Sequence, residues 1–288
     1  MGFKTTKLAI SLRNKNVLYK AWLNFISLLQ PVNGHHLKEF LLFVGYPRSG
    51  SSTLGSLLDA HPQIIVAHEL NALNYLNRGF SRRQIFTLLI QNSIKYARSG
   101  RFSSGYPGLV PGQHNGKSAC LKVLGDKKAG GTALALRLND SLLHRLQDKV
   151  QLPLKCLHLV RNPFDMITTQ AYGGNEKKAP LTAEGIQRAM RLCFEKFDTI
   201  QSLIQKKIHS VHTLRYEALL ENPVSELSTI LSWLEVDGDD AWLDACCRHL
   251  YQQPHRSRSK YNWTADEKEQ VMRQIEKYPF LQGYTFEN

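Results

Sequence analysis

The sequence predicts an α/β fold in which a parallel sheet is flanked by helices, and three observations carry that expectation. Short apolar runs with strand character alternate along the chain with longer helical patterns, as in parallel sheets wired by crossover helices. One of these runs leads through a Gly/Ser-rich loop straight into a helical pattern. With 288 residues, 42% hydrophobic and 21% charged, the chain is long and apolar enough to bury a full core. It divides into an N-terminal amphipathic helical segment, residues 1–36, and a main domain, residues 37–288.

The elements follow in order. Leu18, Trp22, Phe25, Ile26 and Leu29 fall on one helical face that Pro31 ends. Phe40–Val44 is the first strand, and Leu54, Leu57 and Leu58 mark the helix after the loop, running to about Ala60. Ile64–Ala67 is a short strand leading to His68 and Glu69, and residues 81–98 carry a helical period. Residues 99–117 are rich in Gly, Ser and Pro; a connection that long reads as a lid or an acceptor loop. Ala119–Leu124 is predicted as a strand, about 131–149 as one helix, and 154–160 as a strand. Pro163 ends that strand and Asp165 is placed to cap the next helix. A long helix over roughly 184–207, a strand Val211–Leu214 and three or four closing helices complete the chain.

The chemistry starts at Gly45-Tyr46-Pro47-Arg48-Ser49-Gly50-Ser51-Ser52-Thr53. A tight loop between a strand and a helix N-terminus turns successive backbone N–H groups inward, and the positive end of the helix dipole adds to them. Gly45 and Gly50 let the backbone approach a phosphate, Ser49, Ser51, Ser52 and Thr53 offer hydroxyls, and Arg48 offers a fixed cation. The spacing is that of a P-loop, G-x-x-x-x-G-K-[ST], except that Ser51 replaces the lysine which reaches the β- and γ-phosphates. That replacement argues against ordinary ATP or GTP chemistry.

GYPRSGSSTL followed by LLDAHP resembles the 5′-phosphosulfate loop of sulfotransferases that use 3′-phosphoadenosine 5′-phosphosulfate (PAPS), closest in style to the tyrosylprotein-type and bacterial enzymes. The resemblance implies the sulfotransferase fold, PAPS as donor, 3′-phosphoadenosine 5′-phosphate (PAP) as product, and no metal. It assigns the 5′-phosphosulfate to Arg48, Ser49, Gly50, Ser51, Ser52 and Thr53. Arg161-Asn162-Pro163-Phe164-Asp165 is similar to the family's 3′-phosphate segment, which makes Arg161, and Thr169 eight residues on, the 3′-phosphate ligands. Glu69, after the second strand, matches the general base, with His68 as competitor. Leu124-Gly125-Asp126-Lys127-Lys128 resembles the family's G-[DE]-K-x-P segment, so Lys127 is expected to stabilise the leaving group, with Lys122 and Lys128 as substitutes. The family's proline is missing there. Arg215-Tyr216-Glu217 resembles the turn whose tyrosine approaches the adenine, and the segment 255–263 resembles the basic loop over the nucleotide, bringing Arg256, Arg258 and Lys260. Sulfuryl transfer, like phosphoryl transfer, depends on positioning and cations, so Arg48 counts as catalytic alongside Glu69 and Lys127.

A net charge of +13 fits anionic ligands. It would equally suit a polyanion-binding protein without catalysis, and the loop would equally suit a P-loop kinase or NTPase; these are the alternatives. The five cysteines form no Cys-x-x-Cys pair and suggest a reducing compartment. With neither a signal peptide nor a hydrophobic span recognised, the expected location is cytoplasmic. The N-terminal helix either packs on the domain, which is favoured, or touches a membrane surface. The expected acceptor is a small molecule, such as a secondary metabolite, carrying a hydroxyl or an amine; no nucleic-acid partner is expected.

Overall fold

A computed structural model describes residues 17–26, 28, 36–103, 107–173, 180–251 and 253–288. Five strands, β1 (Glu39–Gly45), β2 (Ile64–His68), β3 (Val123–Lys127), β4 (Leu154–Val160) and β5 (Ser210–Arg215), form one sheet in the order β2-β3-β1-β4-β5. Every pairing is parallel. The eleven helices used below are α1 (Ser51–Asp59), α2 (Ala72–Asn77), α3 (Arg82–Arg98), α4 (Gly130–Leu138), α5 (Leu142–Val150), α6 (Pro163–Ala171), α7 (Ala183–Lys206), α8 (Tyr216–Glu221), α9 (Pro223–Trp233), α10 (Asp240–His249) and α11 (Ala265–Lys277).

β1 is buried at every residue because both faces of the sheet are covered. Its even residues Phe40, Leu42 and Val44 join a core with α2 to α7 and α11, whereas Leu41 and Phe43 join a second core with α1 and α8 to α10. Period-2 alternation thus feeds two cores from a strand that reads as continuously apolar. All strands point their C-terminal ends to one edge, and β1 lies between β3 and β4 there. In such sheets the crevice at that edge is where ligands bind.

Local chemistry explains the helix ends. Ser81 and Gln84 form a capping box at α3, Thr264 and Glu267 another at α11, and α6, with Pro163 in its first turn, is capped by Asn162 and not by the expected Asp165, which lies inside that turn. Two predicted elements differ. The third strand begins at Val123, not Ala119, because Val123 is the first residue in register with both Glu39 and Ile64. The helix expected over 131–149 is two, broken where Asn139 turns extended (φ −155°) and its side chain accepts from Ser141. The described part of 99–117 is tied down: His114 N–H donates to the Ala60 carbonyl, Gly116 N–H to that of Asp59, and Val110 is fully buried.

Residues 17–26 are helical, as the apolar period predicts, while Leu29 and Pro31 lie outside the described residues. No described helix is long and apolar enough to cross a membrane.

Candidate active site

The loop after β1 is shaped by two left-handed residues, Arg48 (φ 69°) and Gly50 (φ 91°), the second being the N-cap of α1. Alternating backbone handedness of this kind makes an anion-binding nest, here continuous with a helix N-terminus. Ser49 is fully buried and donates its hydroxyl to the Tyr46 carbonyl at 3.1 Å, so it braces the loop. Ser51 is buried, while Ser52 and Thr53 are half-buried in the first turn of α1.

The register between β2 and β3 sets His68 beside Lys127, and the Glu69 N–H donates to the Lys127 carbonyl at 2.9 Å. Glu69 itself is left-handed (φ 57°), which ends the strand. A strained backbone at that residue is typical of functional positions. The Lys127 ammonium, only 2% exposed, donates to Glu69 Oε1 at 2.6 Å and to Ser52 Oγ at 2.9 Å. Gly55 makes room for the lysine stem, since a Cβ there would lie 3.1 Å from Lys127 Cγ. Lys128 donates to Glu69 Oε2 at 2.5 Å, so both carboxylate oxygens are held by ammoniums.

Burial raises the Glu69 pKa, but Lys127 and Lys128 together outweigh it and hold the carboxyl below its usual value. Burial lowers Lys127, against the pull of Glu69. Burial, reinforced by Lys127, takes His68 down to about 3, and its ring lies flat on Tyr96 with centroids 3.9 Å apart. Lys122, the other substitute lysine, pairs with Asp237 at the far end of β3 and is not part of this group.

A second cluster forms at the end of β4. Arg161 donates to the His255 carbonyl, and its guanidinium lies 5.6 Å from the Tyr216 ring centre. Asp165 accepts from the Arg258 backbone N–H at 2.8 Å and lies 3.9 Å from Arg161 and 3.7 Å from Arg258. Thr169 Oγ1 donates to Ser257 Oγ at 2.9 Å. Both arginines are nearly buried, yet Arg161 Nε and Arg258 Nη1 have no hydrogen-bond partner among the described residues. Buried guanidinium N–H groups without a hydrogen-bond partner are costly, and both arginines already face the Asp165 carboxylate.

Tyr216 joins the two clusters. Its ring is packed so closely on the loop that a Cβ on Gly50 would lie 2.4 Å from Cδ2, and Arg161 is another of its neighbours. The structure therefore brings together the loop, Glu69, Lys127, Arg161, Thr169, Tyr216 and Arg258. Arg256 and Lys260 are exposed; one donates to the Glu287 carbonyl and the other lies 5.9 Å over Tyr172. Sequence reasoning missed Ser257, the partner of Thr169, and Asp165 as the anchor of the 255–263 loop. It also missed Glu217, which accepts from the Asn162 N–H at 2.9 Å and the Tyr284 hydroxyl at 2.6 Å. The presence of Ser257 inside a basic run was the only signal for it.

Comparisons with known proteins give the family and the fold. A sulfotransferase domain model matches residues 38–284. Among solved structures, the sulfotransferase domain of the Synechococcus PCC 7002 olefin synthase is similar at 17% identity and a TM-score of 0.53, over 86% of this chain and 97% of that one. A sulfotransferase of Mycobacterium avium is similar at 11% identity and a TM-score of 0.50, over 89% and 81%. No curated protein matches the sequence. With that domain spanning nearly all of the sheet and its helices, the chain belongs to the sulfotransferase family, enzymes that take their sulfuryl group from PAPS.

Proposed function

We propose that the protein transfers a sulfuryl group from PAPS to a hydroxyl or amine of a small-molecule acceptor, of the kind met in secondary metabolism, with Glu69 as general base. The observation that carries this reading is the Lys127 ammonium, shared between Ser52 at the N-terminus of α1 and the Glu69 carboxylate. It links the phosphate cradle to a base within one hydrogen-bond chain. When bound, PAPS supplies the activated sulfuryl group and a phosphate leaving group.

In this reading the amides of the loop with Arg48, Ser49, Gly50, Ser51, Ser52 and Thr53 hold the 5′-phosphosulfate. Arg161 and Arg258, each with a buried N–H to spare, hold the 3′-phosphate with Thr169, and Tyr216 sits by the adenine. Arg256 and Lys260, both exposed, add positive charge at the rim. The residues fit the nucleotide because the nest and the Arg161 guanidinium, which has a buried N–H without a partner, both lie against one tyrosine.

Glu69 and His68 differ as bases in a way that favours Glu69. The lysines weaken Glu69, and an anion arriving at Lys127 competes for that ammonium and restores the carboxylate's basicity. His68 is weakened mainly by burial, which an anion does not relieve. Glu69 is also 42% exposed in a site whose other groups are mostly buried, so an acceptor can reach it. The stacked His68 and Tyr96 rings beside it offer a flat acceptor an aromatic wall.

Glu69→Gln tests the reading. Turnover of labelled PAPS with any accepted alcohol, phenol or amine should fall about 10²–10⁴-fold, while PAP affinity is retained or improved because Lys127 loses its anionic competitor. Unchanged turnover would remove Glu69 from the mechanism.

A further inference from the structure

Among the described residues, the helical stretch 17–26 and Leu28 is held against the domain by one face. Leu23 is fully buried, Lys20 donates to the Arg78 and Gly79 carbonyls at 2.8 and 3.0 Å, and the Gln84 amide donates to the Lys20 carbonyl and Asn24 Oδ1, each at 3.0 Å. The ammonium of Lys20 also lies 4.8 Å over Phe80. These contacts fix the rotation of the helix about its axis, and they fix it with an apolar face outward. At 100° per residue, Val17, Leu18, Ala21, Trp22, Phe25 and Leu28 share one sector of roughly 140°. Leu18 is 71% exposed, Leu28 64%, Phe25 59% and Trp22 48%. No charged side chain interrupts that sector, since Lys20, the only charged residue from 17 to 28, is spent on docking. A face this apolar, held rigidly in water, marks an interaction surface.

Charge says what the surface meets. Residues 1–38 contain six Lys or Arg and no Asp or Glu, and residues 70–98, which include the helices it docks on, contain five and none. The first carboxylates on either side are Glu39 and Glu69. An apolar stripe with Trp, Phe and Leu, in a segment whose charged residues are all cations and docked on another of the same kind, is complementary to an anionic bilayer surface. The described helical residues 17–26 span about 15 Å against a bilayer core of about 30 Å, and their docking contacts lay them along the domain, so they would lie in the interface.

We propose that the helix at 17–26, with Leu28, is a membrane-docking element that lays Val17, Leu18, Trp22, Phe25 and Leu28 into an anionic lipid surface while Lys20 and Leu23 keep it fixed to the catalytic domain. The stacked Tyr19 and Trp22 rings, 5.9 Å apart, give it an aromatic pair of the kind that settles at headgroup depth. This inference stands on the exposed face and on charge, independently of the roles given to Glu69 or Lys127.

The test is co-sedimentation of the full chain with vesicles of phosphatidylcholine alone and of phosphatidylcholine with phosphatidylserine. Binding should be at least about tenfold tighter to the anionic vesicles, and Trp22→Glu/Phe25→Glu should abolish it while leaving the melting temperature and PAP affinity unchanged. Failure of the unaltered chain to sediment with either vesicle would overturn the proposal. So would equal binding by the double variant, which would assign the contact to the basic lobe alone. A dimer in light scattering that the double variant converts to a monomer, with no vesicle binding, would show instead that a second copy covers the face.

Discussion

The contact between Gly50 and Tyr216 gives the sharpest energetic prediction. Gly50 sits at φ 91°, and a Cβ there would lie 2.4 Å from Tyr216 Cδ2 and 2.5 Å from Cε2. Carbon atoms prefer separations of about 3.5–4.0 Å, so the ring must move by more than an ångström, which disturbs its contact with Arg161. Gly50→Ala thus combines left-handed backbone strain of about 1–2 kcal/mol with overpacking of about 1–3 kcal/mol. The total is about 2–5 kcal/mol, read from urea unfolding. In a Tyr216→Ala background only the backbone cost of about 1–2 kcal/mol remains. The double-mutant cycle should therefore show a coupling of about 1–3 kcal/mol. Equal costs of Gly50→Ala in both backgrounds would refute the claim that Tyr216 packs on the loop and links it to Arg161.

Two further outcomes follow from buried charge. Asp59 accepts from Ser93 Oγ at 2.5 Å and Val66 N–H at 2.7 Å and pairs with Arg101, both partners being almost inaccessible. Asp59→Ala leaves the Arg101 charge uncompensated and should cost about 3–5 kcal/mol in urea unfolding, whereas Asp59→Leu/Arg101→Met should cost much less; equal losses would count against the pairing. His158, fully buried between Tyr46 Oη at 2.8 Å and Thr213 Oγ1 at 3.1 Å, is held down to about 3 by burial. Its folded pKa lies below the unfolded value of about 6.5, so the unfolded chain takes up the proton first. The stability is full above about pH 6.5 and falls as pH drops toward 3, by about 2 kcal/mol at pH 5. His158→Asn should flatten the pH 7-to-5 difference by that amount, and an unchanged slope would show that His158 already carries a proton when folded.

Local signals made much of the molecule legible. The loop at 45–53 announces itself through residue types at fixed spacing, and β1, β2 and β4 through apolar runs bounded by turn residues. The expected residues Glu69, Lys127, Arg161 and Arg258 come together because each follows a strand or a loop that ends at the same edge of the sheet. What depends on contacts between distant residues was not legible. Nothing near Arg101 shows that its partner is Asp59, so the segment 99–117 reads as a lid although its described part is anchored by that pair. The shift of β3 is set by register with β1 and β2, and the left-handed backbones of Arg48 and Glu69 are imposed by the fold on residues that do not favour them.

The central claim is that one nucleotide site joins the loop after β1 to the Arg161 and Arg258 cluster, and titration calorimetry with PAP and 5′-AMP, without magnesium, tests it most directly. Two charge-assisted hydrogen bonds to a 3′-phosphate should make PAP bind roughly a hundredfold or more tightly than 5′-AMP. Equal affinity for the two nucleotides, or binding of ATP with magnesium in place of PAP, would contradict the account.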